Sequence, residues 1–358
     1  MAGGYGVLTR GDANRLVNDV GQSEVWATAQ AYLAQYVGQF NQAATTLVER
    51  VTTEPKSRYY LPGGGMMQRR GGQAQSHAVR PGGSWDVAVP LEEFGDQLAG
   101  TRNALAKMTL ERFQNGIDTV RIRNRNARLF EMMRALFNNA TRAFPDDEYG
   151  TLTVQPLAIA SDGVTYPPLI GTTNDTTIDS YYGSNYIATA ISDVNNPIAF
   201  VAEKLSARFG SSSDVVVCVH LDQKAKVQAL ADFEEINDPN IRPGANTNVV
   251  VGAPANAPGD IIGRCNGAWV SVWNQVPSGY VFGYDMSQPR PLLERAHEPG
   301  AQIPRGLHLV TRSFDAANYP FDQSHYEDHF GYGVGNRLNG VILQLVASAT
   351  YTTPTQYA

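Results

Sequence analysis

The sequence predicts an α+β fold, and three observations carry that prediction. One long helical pattern, Thr109 to Thr141, stands in a chain that otherwise leans towards strands. Two strand-like pieces, 57–62 and 84–91, flank a tip of Gly, Gln and Arg that at about 20 residues is too long for a compact hairpin turn. From Asn196 helix and strand patterns alternate, and the chain closes on apolar strands separated by glycines.

Taken in order, residues 1–22 are Gly-rich, polar and without pattern, and read as a flexible arm. Ser23 and Glu24 open a helix running to about Arg50, with Trp26, Tyr32 or Leu33, Tyr36, Phe40 and Leu47 as contacts. Its apolar stripe is weak, which predicts a helix lying across a surface. SRYYLP (57–62) and SWDVAVPL (84–91) are the arms of the long excursion. The second alternates, with Trp85, Val87 and Val89 on one face, as a half-exposed strand does. An isolated pair of strands is marginal in water, so this one is expected to lie against something. LEEFGDQLAGTRNALAKM (91–108) reads as a short helix and a turn at Gly100.

Thr109 can cap the long helix through its hydroxyl. Leu110, Phe113, Ile117, Val120, Ala127, Phe130, Met133 and Phe137 then recur at steps of three and four, with Asn124 the one polar residue in the stripe. Gly116 weakens the rod by about 1 kcal/mol and allows a kink. Arg121, Arg123, Arg125 and Arg128 crowd its middle. AFPDDEYG (143–150) is a stop signal, after which TLTVQPLAIA (151–160) and VTYPPLI (164–170) read as a strand pair around Ser161-Asp162-Gly163. Residues 171–193 are polar loop. A helix over 196–210, a buried strand DVVVCVHLD (214–222), a helix over 223–236, a loop over 239–260 and strands DIIGRC, AWVSVWNQ and GYVFGYD follow. LHLVTRSFD and then 325–351 read as closing strands.

Composition bounds the function. The chain has 358 residues, 42% hydrophobic and 17% charged, which suits one large or two smaller domains. No apolar run reaches the roughly 20 residues that cross a bilayer, so no membrane partner is expected, and no secretory signal is legible. Cys218 and Cys265 are too few for a disulfide framework and sit in apolar runs as small core residues, consistent with folding in a reducing cytoplasm. Net charge is −6 but uneven: residues 55–142 hold 14 Lys and Arg against 7 Asp and Glu, whereas 143–358 hold 11 against 22. A basic segment joined to an acidic body is either a nucleic-acid patch or a self-complementary assembly surface. The segment lacks the aromatic interleaving of single-strand binders, and the chain's own acidic half is a ready partner.

Catalytic signals are weak. There is no phosphate-binding GxxxxGK[ST] motif, and GYGVG (331–335) reads as a tight turn rather than a dinucleotide fingerprint. His325, Asp328 and His329, taken as one face of a helical turn, read as hydrogen-bonded scaffold before they read as a metal site. His220 and Asp222 follow a strand where an α/β enzyme keeps catalytic groups, but no nucleophile motif accompanies them. No catalytic residue, cofactor or metal is therefore expected.

The order of parts (arm, long two-stranded excursion, long helix, β-hairpin, α/β insert, return strand) resembles the major capsid protein of tailed bacteriophages with the Hong Kong 97 fold. PLEEFGDQLAGTR (90–102) resembles the connection from the E-loop to the spine helix, and FGYGVGNRLNGVILQL (330–345) resembles the closing strand of the peripheral (P) domain. The resemblance implies an N-terminal arm and helix (1–50), an E-loop hairpin (51–97), the spine helix and P-domain hairpin (98–170), an axial (A) domain (171–306) and return strands of the P-domain (307–358). It implies hexamers and pentamers tiling an icosahedral shell around double-stranded DNA, in a virion assembled in the bacterial cytoplasm. Arg58, Arg69, Arg70, Arg80 and Trp85 in the hairpin, and Arg121, Arg123, Arg125 and Arg128 on the spine, become candidates for subunit contacts; the spine arginines face either DNA or a neighbour. A portal and a decoration or cement protein are further partners. The arm begins at once, so a separate scaffolding protein is expected, and the excursion carries no lysine at its tip for a covalent cross-link. The alternatives are an encapsulin-like compartment shell with the same fold and a cytosolic α/β enzyme centred on His220 and Asp222.

Overall fold

The computed structural model describes residues 14–61, 83–99, 103–104, 107–146, 148–166, 178–186, 191–209, 214–236, 257–311 and 324–358. The chain begins with α1 (Val17–Val20) and α2 (Gln22–Ala44), followed by β1 (Val48–Thr52), β2 (Lys56–Leu61), β3 (Gly83–Ala88) and β4 (Glu92–Leu98). The spine helix α3 (Leu110–Phe137) leads into β5 (Arg142–Asp146) and β6 (Gly150–Val154). Then come β7 (Tyr181–Gly183), α4 (Pro197–Phe209), β8 (Val215–Val219), α5 (Lys224–Gln228), β9 (Phe233–Glu235), β10 (Asp260–Cys265), β11 (Ala268–Val272), β12 (Tyr280–Asp285), β13 (Leu292–Arg295), β14 (His308–Thr311), β15 (Ser324–Val334) and β16 (Val341–Gln344).

The spine helix organises everything. Thr109 caps it, accepting from the Arg112 amide at 3.3 Å. Leu110, Phe113, Ile117 and Val120 bury against α2, which contributes Val25, Ala29 and Leu33 at helical spacing. α2 is thus a packed helix rather than one lying across a surface, and it ends at Ala44, so Leu47 already belongs to the turn into β1, which begins at Val48. The last turns of the spine, Met132, Met133, Leu136 and Phe137, pack under a seven-stranded sheet of order β7-β16-β12-β8-β11-β10-β9. In β8 the two-residue period is plain: Val216 and Cys218 face the spine helix, while Val215, Val217 and Val219 face Ile198, Val201 and Leu205 of α4. A second sheet, β1-β13-β15-β14, carries β4 on the other side of β15; β15 crosses the spine helix with Tyr326, Asp328 and Phe330 turned towards it.

Several expectations change. Residues 92–98 are strand, paired antiparallel to β15 from Glu92↔Phe330 to Leu98↔Ser324; seven cross-strand pairs outweigh the poor strand propensity of Glu, Asp and Gln. The spine runs as one helix through Gly116, whose missing Cβ leaves the room that Leu98 of β4 fills. Phe130 is 41% exposed while Arg128 is 2% exposed, the reverse of the sequence stripe. The supposed stop signal 143–150 is itself a hairpin, β5–β6, with Gly150 at φ +74° closing it; residues 164–166 form no strand, and 167–170 lie outside the described residues. The helix expected over 223–236 stops at Gln228, and 233–235 becomes an edge strand. The end of the expected arm is fixed: Val17 and Leu110 exchange amide bonds with Met108 and Arg15.

GYGVG is no turn. Residues 331–334 continue β15 and pair with β13, and a Cβ at Gly331 or Gly333 would collide with the carbonyl oxygens of Pro90 and Ala88. The two glycines let the chain between β3 and β4 lie flat on the strand. β16, read as a closing P-domain strand, sits instead inside the seven-stranded sheet between β12 and β7. Both cysteines are buried, and burial pushes their thiols above the ordinary range.

Candidate assembly surfaces and the hub behind them

The arginines of the spine helix divide into a buried group and a surface group. Arg128 lies one turn after Asn124, on the buried face. Its guanidinium forks onto Asp328, Nε to Oδ2 at 2.6 Å and Nη2 to Oδ1 at 2.7 Å, and its Nη1 reaches Glu294 Oε1 at 3.1 Å. Asn124 Nδ2 donates to the same Asp328 at 2.6 Å, and Arg305, part-exposed, forks onto Glu294 at 3.0 and 2.5 Å. Phe330 and Phe40 stack on the guanidinium, 4.6 and 5.3 Å from its carbon. Burial alone would lower the pKa of Arg128, but the bond to Asp328 and the charges of Asp328 and Glu294 outweigh it and raise it. Two cations and two carboxylates thus close a neutral, hydrogen-bonded hub between the spine, β13 and β15. Removing one member of such a group leaves an uncompensated buried charge and costs about 3–5 kcal/mol.

Arg128 is therefore not a subunit-contact residue; its fork is consumed inside the chain. The others stay at the surface. Arg123 is 67% exposed and meets Asp96 of β4 at 3.0 Å. Arg121 reaches Asp118 at 3.4 Å and lies over Tyr32. Arg125 is exposed, and with Arg121 and Ile122 it lines a groove of about 660 Å³ whose far wall is residues 257–259, Trp273 and Gln275.

The hairpin divides in the same way. Trp85 is buried: it stacks on Tyr59 with ring centres 4.7 Å apart, donates from Nε1 to the Gly335 carbonyl at 3.2 Å and packs against Tyr166. It anchors the excursion to its own subunit, which corrects its reading as a subunit contact. Arg337 lies 5.7 Å from the Trp85 ring and bonds Asp162 at 2.7 Å, so a second buried ion pair underlies the anchor. On the outer face Arg58 and Lys56 share Asp86 at 3.0 Å, and Tyr60 is exposed. Those hydrogen bonds hold the Asp86 carboxyl below its usual range. Arg69, Arg70 and Arg80 lie outside the described residues.

The catalytic and metal candidates rearrange. His325, Asp328 and His329 stand on a strand, so Asp328 points away from the two histidines and into the hub. His220 Nδ1 is 3.1 Å from Asp222 Oδ2, and Ser278 Oγ donates to the same oxygen at 2.8 Å. His220 Nδ1 accepts from the Asp222 backbone amide at 3.2 Å, and the Ser278 hydroxyl donates to the carboxylate rather than to the imidazole, unlike a nucleophile–base pair. The hub and the Arg337–Asp162 and Arg295–Asp146 pairs were missed in the sequence, because their partners lie up to 200 residues apart. Asn124 was their one local signal: a polar residue in an apolar stripe, with Arg128 four places on.

Neither a family model nor a curated protein sequence matches this chain. Solved structures do. A chain from Mycobacterium phage Patience superposes with a TM-score of 0.67 at 20% identity, covering 98% of this chain and 96% of that one. The capsid of Ralstonia phage GP4 (0.47, 10%, 86% and 88%) and the virus-like particle of Pyrococcus furiosus (0.43, 9%, 89% and 99%) are more distant. The chain has the Hong Kong 97-type fold. No helix among the described residues is long and apolar enough to cross a membrane.

Proposed function

We propose that this protein is the major capsid protein of a tailed bacteriophage, assembling as hexamers and pentamers into an icosahedral shell around double-stranded DNA. The observation that carries the reading is the end-to-end correspondence with a phage structure, 98% of one chain on 96% of the other at a TM-score of 0.67. In this reading the role is structural.

In this reading the unit around the seven-stranded sheet, the expected A-domain (171–306) without β13 but with β16, meets its copies around the capsomer axes, and the excursion (51–97) reaches over a neighbouring subunit. Arg58, Arg69, Arg70 and Arg80 then face carboxylates of that neighbour. Exposed pairs contribute about 0–1 kcal/mol each, and repetition over a shell makes them count. Arg121, Arg123 and Arg125 meet either packaged DNA or a neighbouring copy. A separate scaffolding protein, a portal and a decoration or cement protein complete the partners, and assembly takes place in the host cytoplasm. Lys56 is held by Asp86 at the hairpin base, and shell strength rests on non-covalent contacts.

Electron microscopy of the purified protein under assembly conditions tests this. Closed shells are expected; a protein that stays monomeric across salt and concentration refutes it. Nucleic acid inside filled particles supports the phage reading, and a co-purified enzyme inside them would point to a compartment shell.

A further inference from the structure

Histidines gather where β13 ends and β14 begins, beside the middle of β15. His329 Nδ1 lies 3.1 Å from His297 Nε2, the two rings 4.8 Å apart and nearly perpendicular, and the His308 ring is 6.4 Å from His329. On its other side the His329 ring meets carboxylates. Register places Glu93 of β4 directly opposite His329 on β15. Glu327 is two residues earlier on β15, so it shares the same face. Glu327 is paired with Gly95, which has no side chain to compete for that space. His329 Nε2 is 4.0 Å from Glu327 Oε2, and one donor atom from each of Glu93, Glu327 and His329 lies within 4.8 Å of the others.

We infer that Glu93, Glu327 and His329 form a binding site for a divalent transition-metal ion, Zn²⁺ by donor type, bridging β4 and β15. One imidazole with two carboxylates is a donor set that suits zinc, with a fourth position left for water. Bonds of about 2.1 Å ask for donor separations of about 3.4 Å in tetrahedral geometry. Glu93 is exposed while Glu327 and His329 are part-buried, so closing to that distance asks for rotation of the Glu93 side chain and a small adjustment of Glu327. His297 supplies what such a site needs behind its imidazole. A ligating histidine is oriented through its second ring nitrogen, and here that nitrogen, Nδ1, is engaged by His297 while Nε2 turns to the carboxylates. The ion would relieve the repulsion of two convergent carboxylates. It would also fasten β4, the strand by which the excursion returns to the body, to the longest strand of the fold. The site lies on the face of β15 opposite the Arg128 hub, and it is independent of how subunits assemble.

The test uses the full-length protein stripped with a chelator, then incubated with zinc chloride and desalted. We expect about one equivalent of zinc per chain by elemental mass spectrometry, a calorimetric binding isotherm, and a melting temperature that rises with zinc and falls again with chelator. Glu93→Gln, at an exposed position that leaves the fold intact, should weaken binding at least about tenfold, as should His297→Asn through the orientation of His329. His329→Gln should abolish binding. Background zinc in the parent protein, or unchanged zinc affinity in both Glu93→Gln and His329→Gln, overturns the assignment.

Discussion

The spine helix packs against two sheets, and it is held to them by different means. Under the seven-stranded sheet its last turns offer Met132, Met133, Leu136 and Phe137 to Val216, Cys218, Phe282 and Ile342, all fully or nearly buried. Against β15 and β13 its middle offers Asn124 and Arg128 to Asp328 and Glu294. Apolar contact is non-directional, and neighbouring methyl groups can exchange places at modest cost. A guanidinium fork has one geometry. Sliding β15 by one residue would turn Glu327 or His329 to the helix in place of Asp328, so the hub fixes register where the apolar seam fixes only proximity.

The sharpest way to break this contrast is Arg128→Met. It leaves Asp328 and Glu294 buried beside only the part-exposed Arg305, and should lower unfolding free energy in urea by about 3–5 kcal/mol. Replacing the group together, Arg128→Met with Asp328→Leu and Glu294→Leu, should recover most of that loss, since a well-packed apolar group can substitute for a buried ionic one. Failure to recover would mean that the hub stabilises beyond its own pairing. On the apolar side Val216→Ala removes two methyl groups from the spine-facing side of β8, and a loss of about 2 kcal/mol is expected in the same assay.

Asp146 gives a smaller effect with a pH signature. Burial would raise its pKa, but the bond from Arg295 at 2.6 Å and two backbone amides lower it below 3.8. A carboxylate with a lowered folded pKa contributes stability that is present above its unfolded pKa and lost as pH falls through the folded one. The stability gap between the parent protein and Asp146→Asn should therefore be full at neutral pH and close as the pH drops below 3.8. Thr109→Ala, which removes the helix cap, should cost about 1 kcal/mol. Arg58→Ala comes last: subunit stability should not change, while shell yield at low salt should fall if the outer hairpin face meets a neighbour.

The contrast also explains what could be read in advance. The spine helix with its Thr109 cap, both arms of the excursion, β8 and the strands β10 to β12 declare themselves through spacing, because apolar burial leaves a period of two or of 3.6 in the sequence. The hub leaves none: Arg128 and Asp328 are 200 residues apart, and each reads locally as a surface charge. β4 was hidden for a related reason. LEEFGDQL has the composition of a helix, and only the presence of β15 across seven pairs makes it a strand. The sequence groups His329 with His325 and Asp328, whereas the carboxylate that faces it, Glu93, lies on a strand far earlier in the chain.

The crossing of residues 88–90 over Gly331 and Gly333 sets a timetable. The seat on which the excursion rests is made of glycines encoded about 240 residues later in the same chain. At a synthesis rate of about 5–20 residues per second, the excursion waits roughly 10–50 s after leaving the ribosome before its resting place exists. Trp85 waits as well, for the carbonyl of Gly335. The inner strand of the excursion can be seated only when the C-terminal strands have been made.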